Sequence, residues 1–367
     1  MPTIKLPPLA APVHFVKGRG TGSNIGSRYA AWTREADLDE YDRDLERLER
    51  APVRTLVTEQ LARSIISRND SPDIPFDRSI NPYAGCEHGC IYCYARPSHA
   101  RLGLSPGLDF ETRIFAKTNA AALLRAELSR PGYVPALIAL GANTDPYQPA
   151  ERKLEITRAV VQVLSEFNHP VGITTKSALV TRDIDLLAPM AAKRLVRVYM
   201  SIGTLDPGLA RILDPRAPAP ARRLEAVRRL ADVGIPTGVL HSPVIPAIND
   251  KDIEAVLGAA AQAGAESADY VMLRLPLEVR DLFVQWLEQH FPLRAAHVMS
   301  LVQQMRDGRD NDPTFGSRMR GSGQHAELVS QRFRLAARRL GLNAARIPLD
   351  TAQFRVPPAS GDQLGLF

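Results

Sequence analysis

Three cysteines, Cys86, Cys90 and Cys93, sit on one short stretch, and the chain of 367 residues contains no others. Their spacing, C-x3-C-x2-C, offers no disulfide framework, so a shared metal is the first chemistry to consider. Three thiolates hold three irons of a [4Fe–4S] cluster and leave the fourth iron open to a substrate or cofactor. The competing reading is structural zinc, with His88 or His99 completing a Cys3His site. Zinc modules usually present two separate two-ligand hairpins, and this chain has a single ligand loop. A chain without disulfides belongs to a reducing compartment, which points to a cytoplasmic setting.

The elements that must hold this loop are legible from apolar runs. Strand-length runs at Ser79–Ala84, Ala136–Leu140, Val171–Thr175, Val196–Ile202, Thr237–Ser242 and Tyr270–Leu275 alternate with helical patterns. That is the rhythm of a parallel sheet. Pro149 opens one helical pattern, with Ile156, Val160, Val163 and Phe167 on one face, and Pro220 opens another that Gly234 stops. Asn249, three residues before Asp252, reads as an N-cap for the helix that begins near Ile253. The fold class expected is α/β, a partial (β/α)6 barrel covering residues 76–295. A doubly wound open sheet is the runner-up, but no glycine-rich phosphate turn follows the first strand. The cysteine loop follows that strand directly, at the end where such barrels carry their chemistry.

Around the core the sequence predicts three further parts. Residues 1–75 form a partly disordered N-terminal extension, including a loosely ordered Gly-Arg-Gly-Thr-Gly-Ser-Asn lead (18–24). Residues 296–350 form a helical appendage, and 351–367 a flexible tail. No apolar stretch approaches the ~20 residues of a membrane span, and the N-terminus lacks the layout of a secretory signal.

The string Cys86-x3-Cys-Ile-Tyr-Cys-Tyr-Ala-Arg-Pro, with Gly-Ala-Asn-Thr-Asp-Pro-Tyr-Gln-Pro (141–149) after the second strand, resembles the radical S-adenosylmethionine (SAM) superfamily. Within it, the pattern is similar to the branch of spore photoproduct lyase and the DNA repair photolyase-like proteins. The resemblance implies a [4Fe–4S] cluster on Cys86, Cys90 and Cys93, with the open iron binding S-adenosyl-L-methionine. It further implies reductive cleavage of that cofactor to a 5′-deoxyadenosyl radical, and an electron donor of the flavodoxin or ferredoxin type.

Position by position, the resemblance implies cofactor contacts for Thr144 and Asp145 after the second strand, Lys176 after the third and Ser201 at the end of the fourth. Tyr92 and Tyr94 flank the last cysteine and are expected at the adenine. His241, near the end of the fifth strand, is expected as an acid–base group. Arg274, after the sixth, is expected to bind a carboxylate or phosphate of substrate. One departure matters: the lyase uses a cysteine outside its cluster to return hydrogen, and every cysteine here is already committed.

The net charge of +6 suits an anionic partner. Arg318, Arg320, Arg332, Arg334, Arg338 and Arg339 offer contacts to a nucleic-acid backbone. A non-catalytic nucleic-acid-binding protein with a structural metal loop is therefore the alternative function. Arg222, Arg223, Arg228 and Arg229 read as a solvated helix face. Gln363, Leu364, Leu366 and Phe367 resemble the peptide by which bacterial repair proteins dock on the replication sliding clamp.

Overall fold

The computed structural model describes residues 53–345 and 347–358, together with Val16, residues 18–26 and residues 28–29. Ten strands arise in chain order: β1 (Leu56–Gln60), β2 (Ile66–Arg68), β3 (Arg78–Ile80), β4 (Tyr83–Ala84), β5 (Arg113–Lys117), β6 (Ile138–Leu140), β7 (Val171–Thr175), β8 (Val196–Ser201), β9 (Thr237–Val244) and β10 (Ser267–Met272). Six of them, β3, β6, β7, β8, β9 and β10, pair in sequence order and all in parallel, and β2 adds antiparallel to β3. Each crossover therefore moves the sheet in one direction. A doubly wound sheet needs a reversal of strand order, so the runner-up fold is excluded and the partial barrel stands.

Helices cover the sheet: α1 (Ala120–Leu128), α2 (Ile156–Glu166), α3 (Ile184–Ala192), α4 (Pro220–Ala231) and α5 (Ile253–Gln262). Along β7, Val171, Ile173 and Thr175 are buried while Gly172 and Thr174 are half-buried, the period of two that sets a strand's two faces. Ile173 joins Val160, Leu164 and Leu187 of the flanking helices in one core. Three more helices follow, α6 (Val279–His290), α7 (Ala295–Gln304) and α8 (Gly323–Arg339). Among the described residues no helix is long and apolar enough to cross a membrane.

The first predicted strand is divided. Pro82 has no N–H to give a ladder, and the chain turns at Asn81 so that Ile80 stays in the main sheet while Tyr83 joins β1 and β5 in a second, three-stranded sheet. The Asn81 side chain turns toward the next strand end and accepts from Asn143 N at 2.9 Å. The helix expected from Pro149 breaks at Glu155, whose φ is +51°, and restarts at Ile156. Asn249 does not cap its helix. Its amide accepts from Ile245 N at 2.6 Å and donates to the carbonyls of Gly203 and Pro243, tying the ends of β8 and β9 together.

Two terminal expectations are corrected. In the lead, Arg19 and Thr21 are buried; Arg19 donates to the carbonyls of Glu111 and Val53 at 2.8 and 2.7 Å, so this stretch is packed rather than loose. Of the tail, Phe354 packs on the rings of Tyr133, Phe167 and His169, and Arg355 N donates to Phe167 O at 3.0 Å. The tail residues Gln363, Leu364, Leu366 and Phe367 lie outside the described residues.

The free edge of β10 is covered. Met272 N donates to Met319 O at 2.9 Å, Arg320 donates to Tyr270 O, and the side chain of Asn343 pairs with both backbone groups of Ala268. The same segment reaches the loop before β3, where Arg318 and Gly316 N both bind the Asp73 carboxylate. A strap thus spans from β10 to the β2–β3 end of the barrel, shielding an edge that would otherwise offer unpaired backbone.

Candidate cluster and cofactor site

Cys86 and Cys90 are buried and Cys93 is half-buried. Short-range bonds wind the loop: Gly89 N and Cys93 N donate to the carbonyls of Cys86 and Cys90, and Arg96 N to that of Cys93. Gly89 adopts φ +67°, and a Cβ there would lie 2.6 Å from Glu111 Oε2, so only glycine fits the turn. Arg96 is fully buried and pins the loop from within. Its guanidinium donates to the carbonyls of Gly89, Cys90, Pro106 and Gly107 and to Glu111 Oε1 at 2.6 Å. Glu111 in turn accepts from Gly20 N and Thr21 N, which is why the lead is ordered against the loop.

The motif after β6 is also scaffolding for the loop. The buried Gln148 amide accepts from Glu87 N at 2.9 Å and donates to Gly85 O at 3.2 Å, bracketing Cys86 on both sides. Thr144 is buried and its hydroxyl donates to Tyr83 O at 2.9 Å. Asp145 accepts from Tyr147 N, Thr175 Oγ1 and Lys176 N at 2.7–2.9 Å, and its Oδ2 lies 3.3 Å from His88 Nδ1. Burial alone would raise this carboxyl, but the His88 imidazolium and these donors hold it down to about 2. Asp145 thereby ties β6, β7 and the cysteine loop together.

Lys176, Ser201 and Tyr92 converge. Lys176 Nζ donates to Ser201 Oγ at 3.0 Å and lies 5.6 Å from the centre of the Tyr92 ring. Burial pulls the Lys176 ammonium down, but the negative groups around it, Cys90 and Asp214 foremost, leave it raised and charged. The Tyr92 hydroxyl donates to Asp214, whose other oxygen pairs with Arg223 at 3.0 Å; Arg223 also donates to Ser201 O. Arg223 is buried, not part of a solvated face. Asp214, Arg223, Gln148, Arg96 and Glu111 are the residues that sequence reasoning missed. Gln148 and Arg96 stand inside the very motifs quoted above, which was the available signal.

Tyr94 is half-exposed and its hydroxyl donates to Ala142 O beyond β6, with Arg274 5.8 Å from the ring centre on the other side. Tyr94 and Arg274 are thus neighbours beyond the sixth barrel strand. His241 is fully buried. Its Nδ1 lies 3.2 Å from Ile202 O, and Nε2 has no hydrogen-bond partner among the described residues. Burial lowers its pKa from the ordinary histidine value. Of the six C-terminal arginines, Arg318, Arg320 and Arg332 are committed to Asp73, Asp269 and Glu254.

His99 Nε2 faces Arg113 O at 2.9 Å and its ring stands edge-on to Phe110, while His88 faces Asp145. Among the described residues no group of three His, Cys, Asp or Glu side chains is arranged to hold a single metal ion. Burial pushes the Cys90 and Cys93 thiols up, and thiolates held there need a cation, which a multi-iron centre spread over three sulfurs supplies. The three-cysteine loop fits a [4Fe–4S] cluster.

Comparison with known proteins agrees. The family model described as the Radical SAM superfamily matches residues 80–260. An uncharacterized protein of Mycobacterium tuberculosis is 36% identical over 237 residues, covering 64% of this chain and 70% of its own. An uncharacterized protein of Methanocaldococcus jannaschii is 26% identical over 218 residues, covering 58% and 76%. Among solved structures, a spore photoproduct lyase variant with bound AdoMet and dinucleoside spore photoproduct superposes with a TM-score of 0.54 at 16% identity, covering 78% of this chain and 80% of that one. That likeness establishes a shared fold. The chain belongs to the radical SAM superfamily, whose members use a [4Fe–4S] cluster and S-adenosylmethionine.

Proposed function

We propose that the chain is an enzyme that reductively cleaves S-adenosylmethionine at a [4Fe–4S] cluster held by Cys86, Cys90 and Cys93. The observation that carries this reading is the loop itself: three cysteines clasped by Arg96 and Gln148 at the C-terminal end of the first barrel strand. When bound, the cluster supplies the electron and the cofactor supplies a 5′-deoxyadenosyl radical that abstracts hydrogen from substrate. The chain's own side chains orient and enclose. Lys176 holds its ammonium on Ser201, beside Tyr92, where a cofactor carboxylate would be met by a fixed cation. Asp145 acts at one remove, holding the Lys176 backbone and His88 in place.

Damaged DNA is the first substrate to test, since the neighbouring lyase holds a dinucleoside lesion. Here hydrogen cannot return from a fourth cysteine, because the chain has three; either 5′-deoxyadenosine or a tyrosine gives it back, or the reaction is not photoproduct repair. The test is anaerobic reconstitution with iron and sulfide, reduction with dithionite, and detection of methionine and 5′-deoxyadenosine. Both should form with the wild-type chain and neither with Cys90→Ala. A folded, iron-loaded wild-type protein that forms no 5′-deoxyadenosine would refute the reading.

A further inference from the structure

The buried arginines of this fold are compensated, with one exception. Arg96 binds Glu111 and four carbonyls, and Arg223 binds Asp214 and two. Arg306 has no carboxylate, but three carbonyls take its terminal nitrogens. Arg274 has neither. Among the described residues its one hydrogen-bond partner is the thioether of Met319, 3.7 Å from Nη1, and its buried Nε has none. Thioether sulfur is a weak acceptor. Among the described residues no carboxylate forms a salt bridge with Arg274. The nearby Asp73 is spent on Arg318 and Gly316 N. Burial and the neighbouring Arg318 both weigh against the Arg274 charge, and a half-buried cation without an anion is costly to keep.

Its position gives that cost a use. Arg274 lies two residues past the end of β10, on the face of the barrel where chemistry is placed. The ring beside it belongs to Tyr94, the residue after Cys93, and Tyr94 is half-exposed, so this flank is open to solvent. We propose that Arg274 is the receptor for an oxyanion, phosphate or carboxylate, carried by the substrate. The guanidinium fork takes two oxygens at once. This inference rests on the proposed enzymatic reading for the word substrate, but the anion site itself requires no turnover.

The test is calorimetric titration of the reconstituted holoprotein with two matched pairs. Dithymidine monophosphate is compared with its uncharged methylphosphonate analogue, and glutarate with its dimethyl ester. One charged member should bind about 10-fold tighter than its neutral partner, the scale of a charge-assisted hydrogen-bonded pair. Which pair discriminates tells phosphate from carboxylate. Arg274→Gln should erase the discrimination, Arg274→Lys should keep part of it, and S-adenosylmethionine affinity should stay unchanged in both. Equal affinities within both pairs for the wild type, or discrimination that survives in Arg274→Gln, would overturn the proposal. So would a Gln variant whose only loss is cofactor affinity. A protein that shows the discrimination yet never cleaves S-adenosylmethionine would keep the anion site and defeat the enzymatic reading.

Discussion

Arg222 and Arg223 are adjacent, identical in type, and opposite in role. Arg222 is exposed, whereas Arg223 is buried and joins Asp214, Pro218 O and Ser201 O. Nothing in a run of arginines marks which one turns inward, because the distinction is made by Asp214, nine positions back, only once the chain has folded. The cysteines were legible for the opposite reason: their chemistry depends on local spacing, which the sequence states outright. Asp145 falls between these cases. Its importance was readable from the motif, but its bonds to Thr175 and Lys176 and its approach to His88 were not. Arg223→Met should destabilise the fold by about 3–5 kcal/mol, because Asp214 is left as a buried charge without its cation. Arg222→Met should change stability by less than about 0.5 kcal/mol. Urea unfolding of both variants checks this, and equal losses would contradict the assignment.

At the scale of elements, the apolar runs located all six barrel strands but misread their ends. Ser79–Ala84 reads as one strand, yet Pro82 divides it between two sheets. The last strand begins at Ser267, earlier than its most apolar stretch. Such edges depend on which backbone groups find partners, and that is tertiary information. The docking of the tail has the same character. Phe354 meets Tyr133, Phe167 and His169 at the N-terminal side of β7, where His169 accepts the Tyr133 hydroxyl on Nε2 and donates from Nδ1 to Pro170 O. Burial lowers His169 to about 4, against 6.5 when exposed, so the folded state favours the neutral ring. Its contribution is therefore complete above pH 6.5 and is lost as pH falls through about 4, amounting to about 3 kcal/mol. Unfolding free energy measured from pH 7 to 4 should fall less steeply for His169→Gln than for the wild type. Parallel profiles would show that His169 is not the group responsible.

For the whole molecule, the βα rhythm sufficed to place a partial barrel, and the strict strand order confirmed it. What the rhythm did not reveal is how the parts outside the barrel serve it. The lead packs on Glu111 behind the cysteine loop, the strap from Arg306 to Ser322 covers the β10 edge, and the tail closes the opposite end. These segments are rich in glycine, arginine and proline, with little periodicity, so nothing local announces their destinations. Of the three, the lead is the one bonded to the brace of the cysteine loop, through Glu111. The central claim is that this loop carries a cluster with an iron open to S-adenosylmethionine. Electron paramagnetic resonance of the reconstituted, reduced protein tests it most directly, recorded with and without that cofactor. The account predicts an iron–sulfur signal from about four irons per chain, reshaped when S-adenosylmethionine is added. A protein holding one zinc and no iron signal, or an iron signal unaltered by the cofactor, would contradict it.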